Sequence, residues 1–186
     1  ASCLVGSEMC IRDRRVVERL LSALRTPSEL VQEAVASCLP ALVRASAAAK
    51  DVPSIVDRLF VDLLHGDKYA TRRGAAYGLA GVVKGRGVSA IRELRILARL
   101  SEAAHDTSTT TTRQGALFAY ELLASTLHVL LEPYVDGILA DLLLCFGDTH
   151  ADVREATQDA ARVLMRSLSG QCLKLILPSL LDGLDA

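Results

Sequence analysis

Apolar residues recur with a helical period along almost the whole chain. Val16 to Leu24 forms a short amphipathic stretch that stops at Thr26-Pro27. Ser28 is placed to cap a second helix with an apolar stripe at Leu30, Val31, Ala34, Val35, Cys38 and Leu39, kinked at Pro40. A third runs from Asp51 to His65, with Pro53 in the first turn, where its missing N–H costs little. Its stripe is Ile55, Val56, Leu59, Phe60, Leu63 and Leu64. The pattern predicts further helices over Lys68–Lys84 and Ser89–Ala104. A polar Thr107–Thr112 loop follows, capping a helix that runs to about Leu130. Three more cover Pro133–Phe146, Ala151–Leu168 and Gln171–Leu184, the last kinked at Pro178.

Alternate helices repeat one another. Arg72-Arg73-Gly74-Ala75, Arg113-Gln114-Gly115-Ala116 and Arg154-Glu155-Ala156-Thr157 fall 41 residues apart, and Gln32-Glu33-Ala34-Val35 lies 40 before the first. Two helices per period of about 40 residues is the signature of a HEAT or armadillo solenoid. The expected fold is therefore an all-α superhelix of about four helix pairs, each sharing its core with its neighbours. Asp67 precedes Arg73 by six residues, and Asp148 precedes Arg154 by six. These four are read as an inter-repeat ladder. Gly74, Gly78 and Gly81 lie inside one helix at a cost of about 1 kcal/mol each. Close packing of a neighbouring helix is the expected compensation.

The first residues break the pattern. Leu4 to Asp13, LVGSEMCIRD, has no helical period and matches one reading frame of a transposase-based sequencing adapter. Residues 1–14 are therefore set aside as an assembly scar, and 15–186 as the solenoid. The chain opens without Met and stops within a helical pattern, so it reads as a fragment. A signal peptide does not fit, because Glu8 and Asp13 interrupt a short apolar run. Of five cysteines, Cys38, Cys145 and Cys172 remain, an odd and widely spaced set that reads as buried free thiols.

Composition agrees with stacked helices: half the residues are apolar, Ala and Leu supply close to a third, and Trp is absent. No apolar run is long enough to span a membrane. The chain carries no Walker A motif and no HExxH pair. His65, His105, His128 and His150 are scattered, and Ser167 and Ser169 have no nearby base. Asp136 and Asp141 read as helix-surface acids. No catalytic residue, cofactor, metal or small-molecule substrate is expected. The net charge of −1 conceals a strong asymmetry. Residues 68–100 set eight basic residues against Glu93 alone, net +7, and residues 101–186 are net −7. Arg92, Arg95 and Arg99 would share one face of a continuous helix. Lys68, Arg72, Lys84, Arg86, Arg92, Arg95 and Arg99 then form either a phosphate-contacting surface or the solvated face of a repeat.

Arg72–Gly85 (RRGAAYGLAGVVKG) resembles the general control non-derepressible translational activator family, very large HEAT proteins that activate the amino-acid-starvation kinase on ribosomes. Arg113–Leu123, Leu131–Val135, Leu142–Asp148, Val153–Ala156 and Leu173–Leu184 follow in that family's order and spacing. The region is also similar to the HEAT portion of fungal elongation factor three. The Thr107–Thr112 loop departs from the charged loop of the family. The resemblance implies a non-enzymatic, cytoplasmic scaffold with ribosomal RNA or ribosomal protein as partner. It implies that the kinase is engaged by regions outside this segment. The rival readings are a HEAT segment of an elongation-factor-three-like ATPase and a protein-only HEAT adaptor.

Overall fold

The computed structural model describes residues 15–44 and 51–184. Residues 1–14, and with them the adapter reading and the boundary it sets, lie outside the described residues. Every regular element among those described is helical. In chain order they are α1 (15–23), α2 (Glu29–Arg44), α3 (Val52–His65), α4 (Tyr69–Arg86), α5 (Ser89–Glu93), α6 (Ile96–Ala104), α7 (Thr110–Leu127), a 3-10 turn (His128–Tyr134), α8 (Val135–Phe146), α9 (Ala151–Ser167) and α10 (Gly170–Leu184).

The helices form four hairpins, α1/α2, α3/α4, α5–α6/α7 and α8/α9, with α10 following. The second members α2, α4, α7 and α9 stack side by side in one layer. Of the first members, α3, α6 and α8 each lie against their own partner, and α3 also touches α7. One apolar core runs without interruption from Val17 to Ile176. This is the all-α HEAT-like solenoid that the 41-residue period predicts: each hairpin completes its core with its neighbour.

The glycines of α4 explain how its backbone comes so close to that of the preceding hairpin. A Cβ at Gly74 would sit 1.8 Å from the Leu24 carbonyl oxygen, and one at Gly81 would sit 2.6 Å from that of Ala36. Ala36 is four residues before Pro40, which lies inside α2 and has no N–H to bond it. Gly81 therefore covers the carbonyl that the proline leaves open, and Gly85 covers Pro40 itself, with a would-be Cβ 2.6 Å from its Cα.

Three sequence expectations change. The buried stripe of α2 is Gln32, Val35, Leu39, Pro40 and Val43, while Leu30, Val31 and Cys38 are exposed. The stripe rotates because Gln32 is drawn inward as a polar cross-link. Cys38 is therefore not a buried thiol; Cys145 and Cys172 are. The Ser89–Ala104 helix is broken at Arg95, which adopts left-handed φ 51°, ψ 36°. Ile91, Ile96 and Leu100 are all buried. On one regular helix Ile91 and Ile96 would point about 140° apart, so the left-handed residue resets the phase and both face the core.

Candidate functional site

The repeat register is carried by one column of side chains, Gln32, Arg72, Arg113 and Arg154. Each reaches back to carbonyls of the turn that precedes its helix. Gln32 Nε2 donates to Leu24 O and Thr26 O at 3.1 and 2.8 Å, and Arg72 Nη1 to Gly66 O and Asp67 O at 2.8 and 3.2 Å. Arg113 Nη1 donates to Asp106 O at 2.7 Å, and Arg154 Nη1 to Asp148 O and Thr149 O at 2.7 and 2.9 Å. These are last-turn carbonyls and turn carbonyls with no partner within a helix. The first three also reach forward one repeat: Gln32 to Ala70 O at 2.9 Å, Arg72 to Gln114 Oε1 at 2.6 Å, Arg113 to the Asp148 carboxylate at 2.6 Å.

The ladder expected at Asp67–Arg73 and Asp148–Arg154 is thus shifted. Asp148 pairs with Arg113, one repeat earlier, and offers Arg154 only its backbone oxygen. Asp67 offers its backbone to Arg72. Arg73 turns instead to the groove along the second-helix layer, where both guanidinium arms meet Glu121 of α7 and Nε meets Glu29 of α2 at 3.3 Å. Its plane also lies near the Phe118 and Tyr77 rings, 5.3 and 5.7 Å from their centroids. Burial pulls the Arg73 pKa down, but the hydrogen bonds and charge of Glu121 outweigh it and the net shift is upward. Burial, then Glu29, pushes the Tyr77 phenol up to about 12. Arg73 is therefore a clamp across three repeats. A six-residue spacing could not distinguish it from its neighbour; carrying the 41-residue column through to Gln32 would have placed the ladder on Arg72.

The structure sorts the seven candidate contact residues. Arg72 is buried in the ladder, and burial lowers its pKa. Arg99 pairs with Asp57 at 2.8 Å and stacks on Phe60, 3.6 Å from the ring centroid. Neither is presented to a partner. Because Arg95 breaks the helix, Arg92, Arg95 and Arg99 do not share a continuous helical face. Lys68 is exposed but precedes α4, whose 18 residues put it about 27 Å from the other end. Lys84, Arg86, Arg92 and Arg95 remain, all exposed, and follow one another around the α4–α5–α6 corner. Of these, Arg95 meets exposed Glu102 at 3.7 Å, a loose surface pair of little energetic weight. Lys84 also lines the groove beside Glu33 and Tyr77.

Among the described residues no group of three or more His, Cys, Asp or Glu side chains is placed to hold a metal. No described helix is long and apolar enough to cross a membrane. Burial, then Asp148 and Asp141, pushes the Cys145 thiol up to about 11, which leaves it protonated and unreactive at neutral pH. Asp141 is not the surface acid its sequence context suggests; it is only 4% exposed.

The family model for the EF3 N-terminal HEAT repeat matches residues 72–186. The chain belongs to the EF3 N-terminal HEAT repeat family. The chain is similar over 91% of its length to the mouse stalled ribosome sensor GCN1, at 49% identity, and to the Dictyostelium discoideum eIF-2-alpha kinase activator GCN1, at 42%. It is 30% identical over 61% of its length to elongation factor 3 of Gonapodya prolifera. The likeness to the translational activators read from Arg72–Gly85 therefore holds across the solenoid. The chain spans about 6% of the length of those activators and 10% of that elongation factor.

Proposed function

We propose that this chain is a non-catalytic scaffold segment of a cytoplasmic, ribosome-associated translational activator in the amino-acid-starvation response. It contacts ribosomal RNA through Lys84, Arg86, Arg92 and Arg95, and the starvation kinase is engaged by regions outside this segment. The observation that carries the reading is the basic corner itself. After Arg72, Arg73 and Arg99 are taken up by internal partners, four exposed cations remain in one turn of a repeat. The relatives, a stalled ribosome sensor and an eIF-2-alpha kinase activator, supply the setting. Compact phosphate contacts of this kind release counterions, so affinity falls steeply with salt.

Changing all four residues to Ala in the full-length protein should weaken ribosome co-sedimentation. It should also flatten the slope of log affinity against log salt by about three. Lys68→Ala should leave both nearly unchanged. An unaltered salt slope in the fourfold variant overturns the RNA contact. The relation to elongation factor 3 favours one alternative, a HEAT segment working beside an ATPase; nucleotide-dependent ribosome release by the full-length protein would identify it.

A further inference from the structure

A second pocket lies between α6 and α8, in the acidic half of the chain, and its floor is a buried carboxylate. Asp141 accepts hydrogen bonds from Ser101 Oγ at 3.0 Å and from the Tyr120 hydroxyl, both neutral donors. Burial, then the bond to Asp141 and its charge, pushes the Tyr120 phenol up, so Tyr120 stays a donor. The one basic side chain described within 4 Å of the carboxylate is His105, with Nδ1 at 3.5 Å. That nitrogen is 2.8 Å from the Ser101 carbonyl, which can only accept, so its proton points there. Among the described residues no Lys or Arg reaches Asp141. A carboxylate held away from water with no Lys or Arg beside it is costly, and each of its oxygens keeps a lone pair unused.

The same carboxylate lines an open pocket of about 350 Å³ whose walls include Leu97, Tyr134 and Ile138. Its rim explains a glycine that packing does not. A Cβ at Gly74, Gly81 or Gly115 would strike a neighbouring backbone, whereas one at Gly137 would meet nothing within 4 Å. Gly137 lines this pocket, and its missing side chain leaves the entrance clear.

We propose that this pocket binds an arginine side chain of a protein partner. The guanidinium would reach the free lone pairs of Asp141, and the alkyl stem would lie along Leu97 and Ile138. A guanidinium suits the site because its fork matches two carboxylate oxygens and its flat face tolerates the Tyr134 ring. The net charge of −7 over residues 101–186 attracts such a partner and repels a phosphate backbone. The inference does not depend on the RNA contact at the basic corner.

The test is a titration of the isotope-labelled chain with N-acetyl-arginine amide, followed by amide NMR at fixed ionic strength. Its neutral isostere, N-acetyl-citrulline amide, is the control. Saturable shifts at Gly137 and Ile138 are expected with the arginine probe, and binding about tenfold or more weaker with the citrulline one. Asp141→Asn should lose the preference for arginine. Gly137→Leu fills the entrance from a position with open space, so it should abolish binding without lowering the melting temperature; it decides the matter if Asp141→Asn fails to fold. Equal binding of both probes, no saturable shift with arginine, or undiminished binding by Gly137→Leu would each overturn the proposal.

Discussion

Helices α4 and α9 are equivalent elements two repeats apart, yet they join the solenoid in different ways. Shifted by 82 residues, Gly74, Gly78, Gly81 and Gly85 of α4 become Ala156, Ala160, Val163 and Ser167 of α9. On α4 the missing side chains let backbone rest on backbone: Gly74 on the Leu24 carbonyl, Gly81 and Gly85 on α2 around Pro40. Those glycines cost about 1 kcal/mol each in helix propensity, and the close approach offsets it. On α9 the joint is made by side chains. Val153, Ala156 and Ala160 are buried, and the nearly buried Arg113–Asp148 pair bridges the repeats. At the first joint the bridging residue is the neutral Gln32. One fold thus uses a steric joint at one end and an electrostatic joint at the other, and the two should fail under different insults.

The largest effect is expected at the steric joint. Gly74→Val places carbon inside the space of the Leu24 carbonyl, a rigid backbone atom, and should cost about 4 kcal/mol in urea unfolding. Gly137→Ala, with open space around it, should be neutral or slightly stabilising. Equal costs at the two glycines would remove the distinction. At the electrostatic joint, Arg113→Met should cost about 3 kcal/mol, because it leaves the Asp148 carboxylate with little exposure and no cation.

The joints should also separate by pH. Burial alone would raise the Asp148 pKa, but the hydrogen bonds from Arg113 and from the His150 backbone lower it overall. Asp106, beside the same arginine, is held at about 2 by Ser108 and Thr109. Groups with depressed folded pKa values contribute stability above the ordinary carboxylate value of about 3.9, and lose it as pH falls through the folded value. The melting temperature should therefore drop between about pH 4 and pH 2, and Arg113→Met should flatten that drop. Gly81→Ala, whose Cβ would meet the Ala36 carbonyl oxygen, should leave the slope unchanged while lowering the whole curve. A modest effect of the opposite sign is expected at His128, where α7 ends at φ 49°, ψ −129°, a region natural to glycine. His128→Gly should raise stability by about 1 kcal/mol by calorimetry.

Much of this architecture is legible along the chain. The helical period, the 41-residue repeat and the glycines of α4 all announce stacked hairpins, because burial of an apolar stripe imposes its spacing on the sequence. The α3 stripe, Ile55 to Leu63, appears in the core as read. The site was less legible. Arg72 and Arg73 are adjacent arginines with the same local context, and one is a ladder rung while the other is a clamp. Arg92, Arg95 and Arg99 have the spacing of a helix face, but the core demanded by Ile91 and Ile96 breaks the helix between them. Asp141 looks like any helix acid until Ser101 and Tyr120, 40 and 21 residues away, close over it.

The sequence by itself determined which segments are helices, that they pair and repeat, and that positive charge concentrates between residues 68 and 100. These properties depend on local spacing and composition, which the order of residues carries directly. Only the tertiary structure decided which cations are spent internally, which acid is buried and which glycine is tight. Those outcomes depend on atoms brought together from neighbouring repeats about 40 residues apart, where a rotation of one helix by a single residue changes every partner.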